Sequence, residues 1–137
     1  MKAPDMAKTL KYNSDQRREY LQMIDRIGRQ WLEVFQGNTD FYSAIYWDLL
    51  TQIWRSERPV RKTDALKSMT GVKSAHTAGK YIQVAIDQGL IEEADNPNDA
   101  RSRVLVLAPK MRERLEIFFD GAVDELKRAN DRVEERR

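Results

Sequence analysis

Residues 71–109 constrain the fold more than any other stretch of the chain. They hold one helix-length pattern, one glycine stop and two short aliphatic runs parted by a polar turn. Ala78, Ile82, Ala85 and Ile86 recur at helical spacing, which predicts a helix over about residues 74–88. Ser74 is a residue type that caps a helix start, and Gly89 stands where a left-handed residue ends one. Leu90 and Ile91 open a strand, and residues 104–107 make a second one from valine and leucine. Between them, residues 95–103 read Asp-Asn-Pro-Asn-Asp-Ala-Arg-Ser-Arg, a run of turn-forming types with arginines near its tip.

The flanking segments read mainly as helix. Tyr20, Ile24, Ile27, Trp31, Val34 and Phe35 recur every three or four residues. They predict a first helix over about 14–36, capped by Asn13 or Ser14. A second helix is expected from Asp40 to about Ser56. Phe41, Tyr42, Tyr46, Trp47, Ile45, Leu49, Leu50, Ile53 and Trp54 make it apolar nearly all round, the mark of a buried helix. Pro59 breaks that pattern, and Val60 is placed to add a one- or two-residue strand to the hairpin. A short helix over 63–69, capped by Thr63, precedes a turn at Thr70-Gly71-Val72. The last helix runs from Pro109 to about residue 134. Met111, Leu115, Phe118, Ala122, Leu126, Ala129 and Val133 form its near-heptad stripe, which calls for a partner helix. The charged segment after Ala129 is expected to fray. Residues 1–12 read as a loose arm carrying Lys2, Lys8 and Lys11. The fold class is therefore mainly α with a small β-hairpin wing: a winged helix-turn-helix flanked by long N- and C-terminal dimerisation helices.

At 137 residues the chain is expected to be one domain, with 1–38 and 109–137 as dimerisation helices and 40–107 as the winged lobe. It has no cysteine and one histidine, so neither disulfides nor a metal site is expected, and no cofactor. No Gly-rich phosphate loop or convergent acid–base pair suggests an enzyme, and no catalytic residue is assigned. The sequence shows neither a run of about 18 apolar residues nor an apolar leader, so no membrane association and a cytoplasmic location are expected. The net charge of +2 says little, but its distribution says more. Residues 58–86 carry six basic groups against one acidic, while 1–57 and 104–137 are each balanced. A local basic face on the helix-turn-helix is what nucleic-acid binding requires.

The segment from Gly89 to Pro109 resembles the wing of the MarR family of bacterial transcription regulators. The shared features are Gly89-Leu90-Ile91 after the helix, Asp99-Ala100-Arg101 in the wing, and an aliphatic strand leading into a long helix. The order of elements extends the resemblance from about Asp40 to the C-terminus. It implies a homodimer reading double-stranded DNA at a pseudo-palindromic operator. On that reading Lys73, Ser74, His76, Thr77 and Lys80 face the groove and Arg101 and Arg103 reach DNA from the wing. By the same resemblance Asp99 pairs with an arginine and shapes the wing. Trp31, Tyr46 and Trp47 are candidates to line a pocket for a small aromatic ligand, with core packing as the alternative. Ile24, Ile27, Leu115, Phe118 and Leu126 are the candidates for dimerisation. The alternative function is a winged-helix protein–protein interaction module without specific DNA binding.

Overall fold

A computed structural model of the chain describes residues 9–69 and 71–137; Lys2 and Lys8 of the expected arm, and Thr70 of the expected turn, lie outside the described residues. The elements run α1 (Ser14–Val34), a 3-10 turn (Thr39–Phe41), α2 (Ala44–Arg55), β1 (Val60–Arg61), α3 (Lys62–Ser68), α4 (Ala75–Asp87), β2 (Ile91–Asp95), β3 (Arg103–Leu107) and α5 (Pro109–Glu135). They fall into two compact units, Trp31–Phe118 and the residues up to Gln30 together with Phe119–Arg137. The division lies inside both long helices. The reason is chemical: the last turn of α1 and the first turns of α5 are rich in large apolar side chains that the lobe's core takes up.

In the unit 31–118, Leu49, Leu50, Ala65, Ile82, Ala85, Leu105 and Leu115 are fully buried. Around them runs a chain of ring contacts. Trp31 meets Phe35, Trp47 and Phe118 edge-on at centroid distances of 5.0, 4.9 and 5.2 Å. Phe35 meets Phe41, Phe41 meets Tyr46, and Tyr46 meets Tyr81 of α4 at 5.7 Å. Each such pair contributes roughly 0.5–1.5 kcal/mol beyond the area it buries. The three strands form an antiparallel sheet in the order β1-β3-β2. Leu105 sits at its centre, opposite Val60 on one side and Glu93 on the other. The short Val60 strand expected from sequence is thus present.

Several boundaries move, each for a local reason. Asp40 does not start α2. Asn38 caps the 3-10 turn by accepting the Asp40 N–H at 3.0 Å, and Ser43 then caps α2 by accepting the Tyr46 N–H at 3.3 Å. Thr63 lies inside α3, whose N-cap Arg61 makes no side-chain cap bond. The start of α1 is closed reciprocally: Asn13 Oδ1 accepts the Gln16 N–H at 2.8 Å, and the Asn13 N–H donates to Gln16 Oε1 at 3.0 Å.

The second unit pairs the first four-fifths of α1 with the end of α5. The side chains of Asn13 and Gln16 donate to the carbonyls of Arg136 and Val133 at 2.7 and 3.1 Å, which ties the end of α5 to the start of α1. The charged tail is helical through Glu135, contrary to the expected fraying, because these bonds occupy carbonyls that the last turn leaves open. The buried stripe also departs from the sequence reading. It passes from Phe118 through Glu125, 3 % exposed, to Ala129, also 3 %, while Leu126 faces outward at 54 %. Glu125 Oε1 accepts from Arg132 at 2.8 Å and Arg26 at 3.2 Å, and Arg132 also donates to Glu19 at 2.9 Å. Gly121 lets the helices approach closely: a Cβ there would lie 3.3 Å from Gln30 Oε1.

Burial works to raise the pKa of the Glu125 carboxyl, but the hydrogen bonds and charges of Arg132 and Arg26 outweigh it and hold it below the ordinary carboxylate range. A glutamate lowered in the folded state adds stability above its unfolded pKa, about 4.3. That stability is lost as pH falls through the lower folded value. The urea midpoint of the native chain, followed by circular dichroism, is therefore expected to drop more steeply below about pH 4.3 than that of Glu125→Gln. Parallel acid limbs in the two proteins would show that the carboxylate is not the titrating group.

Candidate nucleic-acid interface

The helix-turn-helix is built from α3, a turn and α4. Met69 is buried at the end of α3, Gly71 takes φ +83° within the turn, and the Val72 N–H donates to the Met69 carbonyl at 3.3 Å. Ser74 Oγ accepts the Thr77 N–H at 3.1 Å and caps α4 as the sequence suggests. The far end closes with a complete Schellman pattern. The Gly89 N–H donates to Ile86 O at 3.0 Å, the Leu90 N–H to Ala85 O at 2.9 Å, and Gly89 stands at φ +73°. Both ends of α4 are therefore fixed by local chemistry.

Between those ends, Ala78, Ile82 and Ala85 face the core, and Tyr81 turns inward to the Tyr46 ring. Lys73, Ser74, Ala75, His76, Thr77 and Lys80 are all exposed. The five candidates from the sequence are thus all accessible, Lys73 and Ser74 just before α4 and His76, Thr77 and Lys80 on its first turns. Two of them already have work to do, since the Ser74 and Thr77 hydroxyls bond to each other at 2.9 Å as part of the cap. Among the described residues, Lys73, His76 and Lys80 have no ion pair.

The wing behaves differently. Its tip is a nest of side-chain-to-backbone bonds. Asn96 Oδ1 accepts the Asn98 N–H at 3.0 Å, Asn96 Nδ2 donates to Ser102 Oγ at 2.9 Å, and Asp99 Oδ1 accepts the Arg101 N–H at 2.9 Å. Asp99 accepts the backbone N–H of Arg101 and, among the described residues, pairs with no arginine side chain. A carboxylate two residues before an N–H closes a turn without needing the guanidinium. Arg101 is left exposed and, among the described residues, unpaired. Arg103 is not. It stands in β3 opposite Asp95 and pairs with that residue and with Glu93, the latter at 3.3 Å. Lys62 at the start of α3 pairs with the same Glu93 oxygen at 3.3 Å. The sequence reading missed Lys62 and Glu93. The signal was available: residues 87–103 hold five acidic groups against two basic.

No family model matches the sequence, and no curated protein sequence matches it. Solved structures do match. A transcriptional regulator from Thermotoga maritima superposes with a TM-score of 0.59 at 19% identity, over 84% of this chain and 78% of that one. The S. aureus MepR–DNA complex gives 0.59 at 15% identity, over 84% and 87%. A MarR family transcriptional regulator from Streptomyces coelicolor, solved in complex with DNA, gives 0.54 at 21% identity, over 82% and 70%.

This chain has the MarR-type winged-helix fold.

The remaining sequence candidates divide within that MarR-type fold. Trp31 and Tyr46 are 5 % and 4 % exposed and spend their faces on neighbouring rings, while Trp47 is 37 % exposed. Leu115 and Phe118 are buried in the core of the 31–118 unit, so the chain itself already covers them. Ile24 and Leu126 are exposed, and Ile27 is half-buried. Among the described residues, no group of three His, Cys, Asp or Glu side chains is placed to hold a metal ion, and no helix is long and apolar enough to cross a membrane.

Gly79 lies on α4 between the core face and the exposed face. A Cβ there would meet Leu66 at 4.0 Å, an ordinary contact, so packing against α3 does not demand glycine. Gly79→Ala is expected to stabilise the chain by about 0.5–1 kcal/mol in urea unfolding, the usual helix-interior difference. Destabilisation would mean that α3 and α4 pack more tightly than this separation implies.

Proposed function

We propose that the chain is a DNA-binding transcription regulator that acts as a homodimer on a pseudo-palindromic operator in the bacterial cytoplasm. The observation that carries this reading is the exposed face of α4. Among the described residues, His76 and Lys80 on α4, and Lys73 just before its cap, make no ion pair, on a helix fixed at both ends within a fold shared with two structures solved with DNA. A capped, rigid helix presenting a lysine, hydroxyls and a small apolar residue has the groups that read a major groove. Arg101, at the tip of the wing, would add a phosphate or minor-groove contact. Trp47, half-exposed beside Trp31, is where a small aromatic effector would first meet the ring cluster.

Dimerisation is supported by the helix pair. Tyr20, Leu21, Ile24, Val123 and Leu126 are each more than two-fifths exposed, while the charges of Glu19, Glu125 and Arg132 are turned inward. An apolar outer face of this kind marks an interaction surface, and a second copy supplies the same face.

The acidic balance of residues 87–103 favours the second reading, a protein–protein interaction module, and one experiment separates the two. In fluorescence anisotropy with a random-sequence duplex, binding is expected to fall steeply with salt. Arg101→Ala is expected to lower the log–log salt slope by about 0.9, the value of one phosphate contact. No binding at low salt would favour the interaction module. Leu126→Glu is expected to turn a dimer into a monomer in sedimentation velocity with helix content retained. A dimer unaffected by this change would place the interface elsewhere.

A further inference from the structure

Glu93 joins two cations that stand on different elements. Its Oε1 lies 3.3 Å from Lys62 Nζ at the start of α3 and 3.3 Å from Arg103 Nε in β3. The three side chains are unequally exposed: Glu93 21%, Lys62 33% and Arg103 45%. Asp95, the other partner of Arg103, is 91% exposed. An ion pair so open to water is weak, whereas a half-sheltered carboxylate shared by two cations holds them more firmly. Glu93 is therefore the one carboxylate that, among the described residues, both cations share.

Resting on the DNA-binding reading above, we propose that Glu93 restrains sequence-independent binding by withholding Lys62 and Arg103 from the phosphate backbone. Each cation that neutralises a phosphate adds the same affinity on any sequence, so cations engaged by Glu93 contribute less to binding at random sites. Lys73, just before α4, and Lys80 on it carry no such restraint, because among the described residues neither has an ion pair. The chain thus separates these cations into a free set at the start of α4 and a restrained set where the wing meets α3. Discrimination between sites grows when the sequence-independent term is held down.

The test is a salt titration of anisotropy with a random-sequence duplex, using the full chain and Glu93→Gln, with Glu93→Ala in parallel. Circular dichroism checks that each variant is folded. Both variants are expected to bind more tightly than the native chain at every salt concentration. Their log–log slopes are expected to steepen by about 0.9 for each cation released, to about 1.8 for both. Asp95→Asn is expected to change the slope much less. Adding Lys62→Ala and Arg103→Ala to Glu93→Gln is expected to remove the gain, and the same pair in the native background is expected to cost less than it does there. Native binding with no change on Glu93→Gln would overturn the restraint and leave the DNA-binding reading intact. A gain that survives loss of both cations would also overturn it, since only general repulsion would then have been relieved. No binding by either protein would defeat both readings together.

Discussion

Contact between aromatic rings, mostly edge-to-face, is what the lobe depends on. Seven rings, from Phe118 through Trp47 and Trp31 to Phe35, Phe41, Tyr46 and Tyr81, touch in sequence. They come from both long helices, the 3-10 turn, α2 and α4, so five separate stretches of backbone are set by one packed surface. Such contacts have a preferred angle as well as a preferred distance, which oil-like aliphatic packing lacks. Tyr81 holds α4 to this run of rings, and Ala78, Ile82 and Ala85 hold it to the core. Its other face is exposed.

The fold was legible where local rules act alone. Ser74 and Gly89 bound α4 because a hydroxyl cap and a left-handed glycine have one use each at a helix end. The alternation in residues 103–107 and the single Val60 were enough for the three-stranded sheet. Legibility failed where a charged residue took an inside position. The apolar pattern of α5 passes over Glu125, because nothing in it marks a carboxylate that two arginines shelter. The start of α2 failed for a related reason. Asp40 and Ser43 are both good caps, and the choice between them rests on how Phe41 packs between Phe35 and Tyr46.

The candidate interface was half legible. The exposed residues of α4 follow from periodicity once the inward face is known. The wing does not, since the same arginine serves as a DNA contact or a cross-strand partner depending on which acids stand opposite. Asp95 faces Arg103 directly and Glu93 lies one pair further along the same face of the hairpin, so register decides the matter. Register is visible only once the hairpin closes, and here it assigns the two wing arginines different surroundings.

All three tryptophans, Trp31, Trp47 and Trp54, lie within residues 31–118. The helix pair formed by the two chain ends contains none. Intrinsic tryptophan emission therefore watches one unit, whereas far-ultraviolet circular dichroism is weighted by the helices of both. A chain whose ends loosen before its centre would lose ellipticity while its fluorescence stayed native, and the two unfolding curves would part. The placement of three indole rings makes the cooperativity of this molecule measurable without any added label.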